Sequence, residues 1–115
     1  MTEFSPQPPA RAFNDFLLET IDETITILLS REVADALYAY LQTTLSISRD
    51  HIPFQLDTLS SVLESTFGLQ GSPTISKAIA RRFYSKLALK FSDNGGTLSE
   101  YVQGAKFQAA RGLQH

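Results

Sequence analysis

From position 72 onward, apolar side chains return at every fourth residue: Ile75, Ile79, Phe83, Leu87 and Phe91. At 100° per residue they trace one slowly drifting stripe, the mark of a helix with a single buried face. Ser72 is placed to accept a hydrogen bond from a first-turn amide, and Pro73 sits where a missing N–H costs nothing. The spacing predicts a helix over 73–91. Lys77, Arg81, Arg82, Lys86 and Lys90 flank the stripe on both edges, where their stems can cover apolar surface while the charges reach water.

Four further helices follow from the same reasoning. Over 13–29 the apolar residues Phe13, Phe16, Leu17, Leu18, Ile21, Ile25, Ile27, Leu28 and Leu29 fill an arc wider than one neighbour can cover. That helix is expected at the centre of a bundle, or on a dimer surface. Asp15, Glu19, Asp22 and Glu23 share the remaining arc and are expected to form a solvent-facing strip. Ile25, Thr26 and Ile27 also suit a short strand, but the helical period continues through them. Ser30 caps a second helix over 31–45, striped by Val33, Leu37, Tyr38, Leu41 and Leu45. Residues 46–54 read as a loop, with Pro53 biasing Ile52 away from the helical region. Leu56, Leu59, Leu63 and Phe67 define a third helix over about 55–67, with Gly68 as its left-handed terminator and Leu69 as the accompanying apolar contact.

Beyond Phe91, the run Ser92-Asp93-Asn94-Gly95-Gly96 is a turn, and Thr97 with Glu100 forms a capping box opening a last helix over 98–110. Gly104 weakens that helix. It is expected to be a docked fifth helix, a tail or a partner-binding arm. Pro6, Pro8 and Pro9 make residues 1–11 a disordered proline-rich lead. The division is thus a lead (1–11), a helical domain (12–91) and a glycine-linked C-terminal helix or tail (92–115). The fold class is all-α, a four- to five-helix bundle.

Composition narrows this little. The chain has 115 residues, one domain's worth. It has no cysteine, which removes disulfides and thiolate metal sites and suits the cytoplasm. No apolar run approaches bilayer length and the N-terminus lacks the pattern of a secretory signal, so no membrane partner is expected. Charge is more informative. Residues 1–66 carry ten acidic and three basic side chains, a formal −7, whereas residues 67–115 carry two and seven, a formal +5. The halves attract each other, within the fold or across a dimer.

The chemistry of turnover is missing. There is no glycine-rich phosphate loop, no G-x-S-x-G, no H-E-x-x-H and no zinc-ligand spacing. His51 beside Asp50 suggests proton transfer, but no second partner accompanies it, and the other histidine is the last residue. The sequence reads as a non-enzyme with no cofactor and no metal. Phe16, Tyr38, Phe67 and Phe83 are the aromatics that would line a ligand pocket if the bundle opened one; otherwise they are core. The residues singled out for interaction are Lys77, Arg81, Arg82, Lys86, Tyr101 and Phe107.

Several segments together resemble a known family. Phe16-Leu-Leu-Glu19-Thr-Ile-Asp-Glu23, then Ala36-Leu-Tyr38-x-x-Leu41, His51-Ile-Pro53, and Leu63-Glu-x-x-Phe67-Gly68-Leu69 are similar to a small archaeal family, the Nitrososphaera-type output domains. The likeness runs from about Phe13 to Leu89. It implies a helical fold, no assigned reaction, and a regulatory or adaptor role in signal transduction. The expectation is a helical protein-interaction module with a protein partner or a second copy, as in a homodimer. The alternative is a DNA-binding regulator using 56–91 as a helix-turn-helix, with Thr74, Ser76 and Lys77 towards base edges and Arg81 and Arg82 on phosphates.

Overall fold

A computed structural model describes residues 9–112. The expected lead falls mostly outside them; its last three residues begin the first helix. Five helical elements follow in order: α1 (Pro9–Leu28), α2 (Arg31–Leu45), a short 3-10 helix (Arg49–Phe54), α3 (Leu56–Lys86) and α4 (Leu98–Gly112). The described residues contain no strand, and the fold is an all-α bundle.

α1 is the central strut. Leu17, Ile21 and Ile25 are sealed from solvent, and Phe13 meets Phe83 of α3 edge-on with ring centroids 5.1 Å apart. α2, the 3-10 helix and α3 all pack against α1. Thr20 and Thr24 are also buried on it, and each hydroxyl donates to the carbonyl four residues back, Phe16 and Thr20 respectively, at 2.7 Å. Neither hydroxyl is therefore left unpaired in an apolar site.

The turn into α2 follows its caps. Ser30 Oγ accepts from the Val33 amide at 3.0 Å, as the sequence predicts. The segment read as a loop contains a 3-10 helix: His51 N–H donates to the Ser48 carbonyl and Gln55 N–H to the Ile52 carbonyl, both at 2.9 Å. Pro53 fits because a short 3-10 turn asks for few amide donors. The element is pinned by Ile52, which is buried.

Three expected boundaries need correction around α3. Gly68 does take a positive φ, 85°, but with ψ 176° it lies outside the left-handed helical well, in a region open essentially to glycine alone. The helix resumes at once, so α3 has two arms, 56–67 and 69–86, and Leu69 is 75% exposed instead of forming a capping contact. Ser72 is then no N-cap. It is buried inside the second arm with Ser76 and Ala80, a run of small side chains at steps of four. Pro73 falls early in that arm, and the bond it forgoes is the one to the Leu69 carbonyl.

The second arm also stops at Lys86, one turn short of the expected end. Ala88 adopts φ 57°, its N–H donates to the Ser85 carbonyl at 3.1 Å, and Leu89 N–H donates to the Tyr84 carbonyl at 2.8 Å. These two bonds form a Schellman close with alanine in the place usually held by glycine. The chain folds back, and Phe91 lies between Tyr84 and Tyr101, with centroids 5.3 and 5.1 Å away.

α4 is docked. Leu98, Tyr101, Val102 and Ala105 are buried in the same core as the other helices, and α4 packs chiefly on α3. The capping box forms: Thr97 N–H donates to Glu100 Oε1 at 2.8 Å, and Glu100 N–H to Thr97 Oγ1 at 3.1 Å. Gly104 has a packing reason. The Tyr84 hydroxyl donates to the Tyr101 carbonyl at 2.6 Å, and a Cβ on residue 104 would lie 2.7 Å from that hydroxyl oxygen.

The alanine at the end of α3 yields a test. Replacing Ala88 by Gly removes the left-handed strain at an exposed site. It should stabilise the fold by about 1 kcal/mol and raise Tm by roughly 3–5 °C, as read by thermal circular dichroism.

Candidate functional site

α2 has two apolar faces. Ala34, Leu37 and Leu41 turn inward and are buried. Val33, Ala36 and Tyr40 lie on an adjoining face that α1 does not cover; Val33 is 36% exposed and Tyr40 47%. Opposite stands the first arm of α3, showing Thr58, Ser61, Val62, Ser65 and Phe67. Both walls lean on α1, yet α2 and α3 make at most a glancing contact with each other. The result is an open groove of about 470 Å³, lined also by Leu45 and Thr66. Its floor is aliphatic and aromatic, and its far wall is a row of hydroxyls. No carboxylate, imidazole or amine lines it.

A polar knot ties α2 to its neighbours on another side. Asp22 of α1 receives Arg31 at 2.7 Å, the Tyr38 hydroxyl at 2.8 Å and Arg49 at 3.4 Å. Arg49 also lies over the Tyr38 ring, 5.0 Å from its centroid. One carboxylate thus ties α1, α2 and the 3-10 helix together. Above all the Arg31 hydrogen bond, helped by Tyr38 and the charge of Arg49, holds the Asp22 carboxyl below its ordinary range. Burial, followed by the bond to Asp22, pushes the Tyr38 phenol well above its own, so it remains a donor.

The cations singled out from the sequence are spent inside the fold. Lys86 meets Glu23 at 2.9 Å and Glu19 at 3.5 Å, and Arg82 approaches Glu23 at 3.9 Å. The hydrogen bond from Lys86 to Glu23 is the main cause of its raised pKa. Of the expected solvent-facing strip on α1, Glu19 and Glu23 thus form a seam against α3 and Asp22 faces α2, while Asp15 is exposed. Arg81 lies over the Phe91 ring at 5.4 Å. Lys77 pairs with Asp93 at 2.8 Å, and Tyr101, itself buried, donates to the same carboxylate at 3.0 Å. These bonds, the Lys77 one foremost, lower the Asp93 pKa and moor the loop before α4. Phe107 is exposed.

The remaining candidates do not converge. His51 Nδ1 is 2.7 Å from Ser48 Oγ at an exposed position, and Asp50 is exposed beside it. Among the described residues no three His, Asp or Glu side chains are placed to hold a metal ion. Phe16 is exposed, Tyr38 is half-buried, Phe83 is fully buried and Phe67 lines the groove, so the four aromatics share no pocket. For the helix-turn-helix alternative, Ser76 is buried and Lys77 is held by Asp93, while Thr74 donates to the Gln70 carbonyl.

The groove itself was missed in the sequence. Its one available signal was Tyr40, an aromatic off the main stripe of α2 with Val33 and Ala36 on the same side.

No known family model, no curated protein and no solved structure matches this chain. The site therefore stands on its geometry.

The Asp22 knot gives a pH-dependent expectation. The folded-state pKa of Asp22 lies below the unfolded one, so its contribution is fully present above the unfolded value, near 4, and is lost as pH falls through the folded value. Asp22→Asn should cost about 1–2 kcal/mol at neutral pH in urea titrations. That gap should hold down to about pH 5 and close in stronger acid.

Proposed function

We propose that this chain is a helical protein-interaction module of the adaptor or regulatory kind, which holds a helix of its partner in the α2–α3 groove. The observation that carries this reading is the groove: an apolar trough bounded by two helices that stand apart, with Tyr40 and Val33 exposed beside it. Apolar surface of this kind, rimmed by hydroxyls, suits recognition of an amphipathic helix. The lining offers no general base and no nucleophile better than a hydroxyl, which favours binding over turnover.

Self-association is the form of this reading that α1 supports. Ile27 is 63% exposed and Leu28 47%, beside a shallow cleft with Ala78, Arg81 and Arg82. A second copy would cover that patch. The role in signal transduction, and a cytoplasmic setting, follow from the likeness to archaeal output domains and from the absence of cysteine. No helix among the described residues is long and apolar enough to cross a membrane.

Site-specific photocrosslinking tests the reading. A benzophenone amino acid replacing Tyr40 should give a discrete adduct in cells, with a second copy or another protein, while the same probe at exposed Gln103 on α4 gives none. Sedimentation over a wide concentration range should show association that Leu28→Glu weakens. A strict monomer with no adduct at position 40 would defeat the proposal. Retention on duplex DNA that falls steeply with salt would point to the nucleic-acid alternative instead.

A further inference from the structure

Both arms of α3, bent at Gly68, line a second cleft, of about 380 Å³, and the loop before α4 lines it too. It shares only Ser61 with the α2–α3 groove. Ser72 and Ser76 of the second arm are part of its wall, and they are 7% and 8% exposed. Elsewhere in these helices a hydroxyl turns back on its own backbone: Thr20, Thr24, Thr43 and Thr74 each donate to the carbonyl four residues earlier. The two serines do not, and neither hydroxyl has a partner among the described residues. Ser60 Oγ, on the first arm, is buried and unpaired as well. Smallness accounts for a serine at a tight contact, but alanine is smaller still and a better helix former. A buried hydroxyl without a partner is unfavourable unless something pairs with it.

The charged groups of the cleft are of both signs and do not meet each other. Glu64 is exposed and has no ion-pair partner within 4 Å among the described residues. Lys77 holds Asp93 at 2.8 Å and keeps further N–H donors. Leu98, the first residue of α4, lines the same cleft. The capping box takes up the amides of Thr97 and Glu100, which leaves the Leu98 amide at the positive end of the helix. A simple anion would meet Glu64, and a simple cation would meet Lys77 and the helix end. A molecule with one charge of each sign satisfies both. We infer that this cleft binds a free α-amino acid. Its ammonium group goes to Glu64, its carboxylate to Lys77 and the Leu98 amide, and the hydroxyls of Ser72 and Ser76 complete its hydrogen bonds. Serine suits this place because its hydroxyl both donates and accepts. The volume is that of a small-metabolite site. The assignment does not depend on the α2–α3 groove.

The experiment uses the full chain and the standard L-amino acids, with inorganic phosphate and glucose as the anion and the neutral polyol. At about 10 mM, at least one amino acid should raise Tm saturably by about 2 °C or more, and phosphate and glucose should not. By titration calorimetry, the amine lacking that amino acid's carboxylate and the acid lacking its ammonium group should each bind at least about tenfold more weakly. The double variant Ser72→Ala, Ser76→Ala removes two hydroxyls and adds no volume. It should weaken the amino acid at least about tenfold, with the Tm of the unliganded protein unchanged or higher. Glu64→Gln, at an exposed position, should erase the discrimination against the acid that lacks the ammonium group. A saturable rise with phosphate or glucose and with no amino acid would overturn the assignment in favour of an anion or a polyol. No saturable rise with any amino acid would overturn it too, as would amino-acid binding that the serine variant leaves intact.

Discussion

Leu17, Ile21 and Ile25 form one unbroken apolar line along α1, and α2, the 3-10 helix and α3 are each laid against the helix that carries it. Burying a side chain of this size is worth roughly 1.5–3 kcal/mol, several times what an exposed ion pair contributes. The line therefore decides where the other helices go, and the charges only choose among arrangements that it permits. Thr20 and Thr24 join the same buried surface because each hydroxyl is satisfied within its own helix. α1 thus presents an interior face with nothing left unpaired on those two threonines. α4 depends on this only at second hand. It packs on α3, and its one close approach, Gly104 under the Tyr84 hydroxyl, is made to the helix that α1 has already positioned.

The division of charge between the two halves of the chain is resolved inside the molecule. Glu19 and Glu23 face Lys86 and Arg82 across the α1–α3 contact, while Asp93 turns back to Lys77. Internal pairing of this sort removes most of the cations of α3 from any list of outward contacts. Within α2 itself, Asp35 is held by Arg31 one turn before it. Asp22 sits between the two regimes. It is an acid of α1 that reaches not α3 but α2 and the 3-10 helix.

Much of the architecture was legible before the structure. The stripes of α1 and of the second arm of α3, the Ser30 cap and the Thr97–Glu100 box depend on spacing alone, and spacing is what a sequence displays. The ends of α3 were not legible, for two separate reasons. Ala88 occupies a position where glycine is the usual sign, so the close at Lys86 left no trace in residue type. Ser72 looked like a cap because serine caps helices, but serine is also a small residue, and here smallness decides. The groove was hidden for a third reason. Val33 counts in the stripe of α2 by spacing and Tyr40 is passed over, and only the separation of α2 from α3 turns them, with Ala36, into a wall. The six residues chosen for interaction were picked for charge and aromaticity. Lys77, Arg81, Arg82, Lys86 and Tyr101 turned out to be engaged within the fold.

The order in which these helices leave the ribosome gives the α1–α3 seam a further meaning. Lys86 and its partner Glu19 are 67 positions apart, so α1 is synthesised well before the arm that covers it. In that interval Leu17, Ile21 and Ile25 have only α2, the 3-10 helix and the first arm of α3 to shelter them. The carboxylates alongside, not yet matched by any lysine, keep neighbouring nascent chains at a distance by mutual repulsion. Once the second arm of α3 emerges, the same carboxylates become its docking marks, and a solubilising feature of the growing polypeptide becomes a structural one of the finished protein.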